Sequence, residues 1–282
     1  MLVDSHCHIL PPSFPLRHDE LTGQEPTYAA LFPNAGGKMA TAESLLAAME
    51  EVGVEHAVVC GFGWVNPEVA REVNDYLIDS AKRYRGRLTG FGSVNPCWGE
   101  GAVVAEIERL AKAGLRGIGE LHPDCQGFDI GDPVVMSPVM NLARSLDMSL
   151  LLHTSEPVGH EYPGKGRTTP DRLYRLALNF PDNKIIGAHW GGGLPFYGLM
   201  PEVPGELENV YFDTAASPFL YRREIFDIAA RTIGAHKILL GTDYPLVGHR
   251  RLIRQVEESE LSETDKKAIL GGNAARLLGI GG

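Results

Sequence analysis

The sequence predicts an α/β protein, a single (β/α)8 TIM barrel over residues 1–282, on three observations. Apolar strand-like runs alternate with amphipathic helical segments from about residue 41 onward. Eight such strands end near residues 8, 61, 93, 120, 153, 189, 214 and 243, and every step after the first is 25 to 36 residues, close to the ~30 of a βαβ unit. Most of these strands are continuous apolar runs, as expected of parallel strands buried on both faces. An open doubly wound sheet would need a glycine fingerprint, and "GFGWVN" at 61–66 lacks its third glycine.

The elements follow in order. An apolar Met-Leu-Val lead-in runs into "DSHCHI", residues 4–9, where strand alternation sends His6 and His8 to one side and Cys7 to the other, towards the helices. Residues 10–40 are rich in Pro and Gly and are expected to be a long β1α1 loop without regular elements, which accounts for the stretched first step of 53 residues. "TAESLLAAMEEVGV" places Leu45, Met49 and Val52 at helical spacing before the strand "HAVVCGF". "PEVAREVNDYLIDSAKRYR" reads as a helix and "RLTGFGSV" as a strand. "EGAVVAEIERLAKAG" has Val103, Ile107 and Leu110 on one face and stops at Gly114 before "LRGIGEL". "SPVMNLARSL" is expected to begin with Ser137 as cap and Pro138 at the first helical position, followed by the strand "MSLLLH". Helix "TPDRLYRLALNF", strand "NKIIGAH", strand "NVYFDT", one helix over "SPFLYRREIFDIAART" and strand "KILLGTD" come next. A helix from about residue 249 and the capped segment "SETDKKAIL" close the pattern.

Composition narrows the function classes. With 44% hydrophobic and 22% charged residues the chain has material for a large core. A net charge of −10 gives no Lys/Arg excess to replace phosphate counterions, so nucleic acid is not an expected partner. The longest apolar runs fall well short of the ~20 residues of a membrane helix, and no basic segment leads into an apolar one near the start. The four cysteines are far apart without a Cys-x-x-Cys pair, so reduced thiols and a cytoplasmic location are expected. The expected partner is a small-molecule substrate, with a homo-oligomer as a further expectation.

In such a barrel the active site lies at the C-terminal ends of the strands, so polar residues that close apolar strands carry the functional signal. Five strands supply one: His6 and His8 on the first, Glu120 on the fourth, His153 on the fifth, His189 on the sixth and Asp243 on the eighth. Singly, each has a plain reading as a loop hydrogen bonder or turn former. Together they bring imidazoles and carboxylates, all divalent-ion donors, to one mouth. Cys7, on the opposite side of its strand, is not expected to act as a nucleophile. Asp213, ending the seventh strand, is a candidate to support a ligand or cap a helix.

In this order and spacing, "DSHCH", "LLLHT", "GAHWGGG", "LLGTDYP" and "GGNAARLL" make the chain resemble the amidohydrolase superfamily along its whole length. The resemblance is narrower to the amidohydrolase-related branch that includes aminocarboxymuconate semialdehyde decarboxylase. It implies that His6, His8, His153 and Asp243 bind a divalent metal, most simply Zn2+ with Mn2+ as the alternative, as one ion or two. It implies for His189 a contact with substrate or with metal-bound water, as in single-metal relatives, or ligation of the second ion, as in two-metal relatives. No lysine ends the fourth strand; Glu120 stands in that region, similar to the bridging glutamate of TatD-like deoxyribonucleases, and is counted with the metal ligands.

A bound divalent ion can lower the pKa of water from ~15.7 towards ~7. With Asp243 accepting its proton and His189 polarising a carbonyl, the expected reaction is hydrolysis of an amide, ester or lactone. The alternative on the same residues is a non-oxidative decarboxylase or hydratase acting on a small unsaturated or aromatic carboxylic acid. Arg167, in the loop after the fifth strand, is expected to receive a substrate carboxylate, and Trp190 and Tyr244, just beyond strand ends, to line the pocket.

Overall fold

The computed structural model describes residues 1–280. Eight parallel strands lie in the order in which they occur along the chain: β1 (Val3–His8), β2 (His56–Cys60), β3 (Leu88–Gly92), β4 (Gly117–Leu121), β5 (Ser149–Leu152), β6 (Ile185–Gly187), β7 (Val210–Asp213) and β8 (Ile238–Leu239). Strand β8 is only two residues long, so the circle closes mainly through irregular backbone. Ser5 N–H donates to Leu240 O at 2.7 Å, Asp243 N–H to His6 O at 2.9 Å and His8 N–H to Tyr244 O at 2.7 Å. The predicted (β/α)8 barrel is the observed fold.

Strand alternation divides the core in two. Val58, Phe91, Leu151, Ile186 and Leu239 point inward and fill the barrel together with Leu277 and Leu278 of the C-terminal helix Asn273–Leu278. Ala57 and Val59 of β2 point outward onto Ala70, Val73 and Leu77 of the helix Pro67–Arg83. Gly117 has to lack a side chain, because a Cβ there would meet the Phe91 ring at 2.5 Å. Gly114 ends the helix Glu100–Ala113 in the left-handed conformation at φ 96°, as its place in the sequence predicts.

Three expectations are corrected. Residues 10–40 are not a bare loop: they hold a 3-10 turn, Phe14–Arg17, and two short helices, His18–Gln24 and Pro26–Leu31. Pro15 and Pro26 sit at helix starts, where no N–H is needed, and Phe14, Leu21 and Tyr28 are buried beneath these elements. The helix expected to start at Ser137 begins at Pro133, where Asp132 accepts Val134 N–H at 2.8 Å, and Pro138 lies inside it. The segment "SPFLYRREIFDIAART" breaks into Ser217–Leu220 and Ile225–Ile233. No described helix is long and apolar enough to cross a membrane.

Candidate active site

The six polar residues predicted at strand ends converge on the C-terminal mouth of the barrel. His8 Nε2 lies 3.1 Å from His6 Nε2 and 3.1 Å from Asp243 Oδ1. Glu120 occupies the middle: Oε2 is 3.6 Å from His6 Nε2 and 3.4 Å from His8 Nε2, and Oε1 is 3.2 Å from His153 Nδ1 and 3.3 Å from His189 Nε2. His189 and Asp243 stand past the ends of their strands with φ of 57° and 64°, a left-handed backbone that side chains with a Cβ disfavour. Hydrogen bonds hold both: His189 N–H donates to Asp213 Oδ1 at 3.0 Å, and Asp243 N–H to His6 O.

The far side of each ring determines which nitrogen faces the centre. His6 Nδ1–H donates to Asp213 Oδ2 at 2.8 Å, His8 Nδ1–H to Gly61 O at 2.9 Å and His189 Nδ1–H to Ala215 O at 3.3 Å. Each therefore turns a bare Nε2 lone pair inward. His153 is reversed, with Nδ1 inward and Nε2 at 3.3 Å from Ser155 Oγ. Asp213 thus supports His6 and the His189 backbone, the role expected of it.

In the neutral rings acceptors then face acceptors: two imidazole nitrogens at 3.1 Å, with Glu120 and Asp243 beside them. Protons on the rings or a cation among the donors relieve that repulsion, and a divalent ion fits this set of imidazole nitrogens and carboxylate oxygens. The electrostatics of the protein alone point the same way. Burial disfavours charge on His6, yet Asp213 and Glu120 outweigh it and hold the imidazole well above its ordinary pKa. Burial likewise opposes charge on His8 and His189, but Cys60, Asp243 and Glu120 raise His8, and Glu120 above all raises His189, to about 9. Against burial, the histidines push Glu120 well below the carboxylate range and lower Asp243.

Above these residues lies a cavity of about 560 Å³ walled by Phe32, Phe62, Tyr162, Phe219, Leu220 and Leu246. Phe62 stacks on His8 with ring centroids 4.0 Å apart. The three residues expected to contact substrate are elsewhere. Trp190 is wholly buried, donates Nε1–H to Ser217 Oγ at 2.5 Å and packs edge-on against Phe226. Tyr244 turns outward, stacks on His249 and donates its hydroxyl to Ser44 O at 3.3 Å. Arg167 is exposed and outside the cavity lining. The one lysine or arginine lining the cavity is Lys38, from the stretch read as a bare loop. His122, which sequence reasoning left aside, is buried, lines the cavity and stacks on His153 at 4.2 Å. Burial and the neighbouring His153 lower its pKa to about 4. Its position one residue past a strand end was the available signal.

The family model described as Amidohydrolase matches residues 3–280. The chain belongs to the amidohydrolase family. This amidohydrolase is 25% identical over 265 residues to 2-amino-3-carboxymuconate-6-semialdehyde decarboxylase of Dictyostelium discoideum, covering 82% of this chain and 73% of the relative. It is 26% identical over 255 residues to gamma-resorcylate decarboxylase of a Polaromonas species, covering 74% and 76%. Among solved structures, 5-carboxyvanillate decarboxylase from Sphingomonas paucimobilis shares its fold with a TM-score of 0.79 at 17% identity over 99% of both chains. Dihydroxybenzoic acid decarboxylase from Polaromonas, solved with bound manganese and 2-nitroresorcinol, does so with a TM-score of 0.73 at 19% identity over 99% of this chain and 96% of that one. These relatives overturn the expectation of hydrolysis: each is a decarboxylase, and ligand types alone could not separate the two reactions because both use the same donor set.

Proposed function

We propose that this amidohydrolase is a metal-dependent, non-oxidative decarboxylase of a small, flat, unsaturated or aromatic carboxylic acid. One observation carries the reading: a cluster of imidazole nitrogens and carboxylate oxygens, all divalent-ion donors, forms one end of a largely apolar, aromatic-walled cavity. The decarboxylase relatives support the reaction class. His6 Nε2, His8 Nε2, His153 Nδ1 and Asp243 would hold the ion, with Glu120 facing all three histidines. When bound, the ion supplies a Lewis acid that fixes anionic substrate oxygens. The imidazole-rich set favours zinc, while the manganese-bound relative supports manganese.

The reaction breaks the bond between a carbon and its carboxylate, releases CO2 and puts one proton on the carbon left behind. His189 is placed to hold that proton, since its Nε2 faces the centre beside Glu120 while Nδ1 is fixed by Ala215 O. Phe32, Phe62 and Phe219 exclude water from a reaction that turns a carboxylate into neutral CO2. Lys38 supplies a cation for a further anionic group of the substrate.

The test is CO2 release from gamma-resorcylate, 5-carboxyvanillate and 2-amino-3-carboxymuconate-6-semialdehyde, using chelator-stripped protein and protein reloaded with zinc or manganese. Release from at least one acid, absent after stripping, restored by metal and lost in His153→Ala, is the expected result. Silence of every metal-loaded sample towards all three would overturn the substrate class.

A further inference from the structure

We propose that His249, on the outer side of the barrel, is a positioning residue that sets the ligand-bearing segments of the active site through Asp4; the inference rests on reading His6 and Asp243 as ion ligands. Strand β8 ends at Leu239, so no regular ladder fixes Asp243 against β1. Asp4 adds side-chain ties to the three backbone hydrogen bonds that close the seam. Its wholly buried carboxylate accepts the N–H of His6 on Oδ1 at 3.1 Å and the N–H of Thr242 on the same oxygen at 3.0 Å. Oδ2 accepts the Thr242 hydroxyl at 2.5 Å, and Thr242 Oγ1 in turn accepts Tyr244 N–H at 3.1 Å. One side chain thus holds the peptide of ligand His6 and the peptides on both sides of ligand Asp243, joining segments 238 positions apart.

A buried carboxylate needs a partner of opposite charge or a full set of donors. Among the described residues no lysine or arginine nitrogen stands within 4 Å of Asp4, and the imidazole nitrogen that does is His249 Nε2, 3.2 Å from Oδ2. His249 opens the surface helix His249–Glu257, yet it is only 3% exposed. Its Nε2 is buried and makes no hydrogen bond, its 3.2 Å approach to Asp4 Oδ2 being a close polar contact, and the Tyr244 ring stacks against it with centroids 5.1 Å apart. The ring is therefore fixed on one side by Tyr244 and aimed at Asp4 on the other. Removing its nitrogen leaves Asp4 Oδ2 facing an apolar ring edge, and the hold on His6 and Asp243 loosens although neither ligand has been altered.

The experiment compares His249→Phe, which keeps the stack but has no ring nitrogen, with His249→Gln, whose amide replaces the donor. Divalent-ion affinity is measured by chelator competition, together with melting temperature and with kcat and KM at saturating metal. In the Phe variant we expect ion affinity to fall about tenfold to a hundredfold and kcat to fall with little change in KM, while the Gln variant stays within about threefold of wild type. Wild-type ion affinity in a folded His249→Phe protein, even one of lower melting temperature, overturns the proposal in favour of a packing role. If the Phe variant does not fold, the Gln variant decides: a loss of about tenfold or more in its ion affinity overturns the proposal. Wild-type protein that binds no divalent ion sinks the ligand reading and this inference with it. Protein that binds the ion but releases no CO2 sinks only the proposed reaction, because the affinity comparison still stands.

Discussion

Glu120 is the residue on which the contacts of the site converge, one carboxylate oxygen towards His6 and His8 and the other towards His153 and His189. Replacing it with Gln removes the charge and turns a donor group towards one pair of imidazoles. Glu120→Gln is expected to lower ion affinity by about tenfold or more, measured by elemental analysis after dialysis against chelator. Unchanged ion content would restrict Glu120 to orienting substrate or sharing a proton. His189 faces Glu120 Oε1 beside His153, and the proposed function gives it the proton and not the ion. His189→Asn is predicted to cut kcat by about 10²–10⁴ while leaving the bound ion in place. A loss of metal in that variant would make His189 a ligand.

At the scale of elements, the short helices of residues 14–31 bring Phe32 and Lys38 to the cavity, and Glu25 fastens them to the barrel. Its buried carboxylate accepts N–H groups of Thr27, Val65 and Asn66 at 3.1, 3.0 and 2.9 Å. Thr27 reinforces the joint through its hydroxyl, donated to Gly63 O. Glu25→Ala leaves one buried and two partly buried donors without an acceptor, so a destabilisation of about 1–3 kcal/mol is expected by urea unfolding. Faster proteolytic cleavage within residues 10–40 and a raised KM should accompany it. A variant with wild-type KM and protease resistance would show that the cap is held by its apolar contacts alone.

At the scale of the whole molecule, the barrel interior is the structure on which the mouth rests. Phe91 fills the space opposite Gly117 and is buried with Leu151, Ile186 and Leu239. Phe91→Ala is expected to cost about 3–5 kcal/mol, seen as a lower denaturant midpoint, because the small neighbours cannot close the gap. A loss below about 1 kcal/mol would mean that the barrel repacks, contrary to the close packing on which the site geometry rests.

The barrel and six residues of its candidate site were legible because they follow local rules. Strand alternation put His6 and His8 on one side and Cys7 on the other, and polar residues closing greasy strands marked Glu120, His153, His189 and Asp243. The local rules fail in loops, where side-chain direction depends on backbone that no periodicity describes: Trp190 turns into the core, Tyr244 turns outward and Arg167 stays in solvent. The prolines of residues 10–40 suggested an absence of structure, yet helix starts accommodate Pro15 and Pro26. What the sequence determined by itself is which strand ends carry chemistry, since that depends only on neighbours along the chain. Tertiary structure alone decided which ring nitrogen of each histidine faces the centre, which side chains wall the cavity, and that His249 reaches the seam through Asp4. Those choices are made by hydrogen bonds and packing between segments as many as 238 positions apart, and no reading of local pattern contains them.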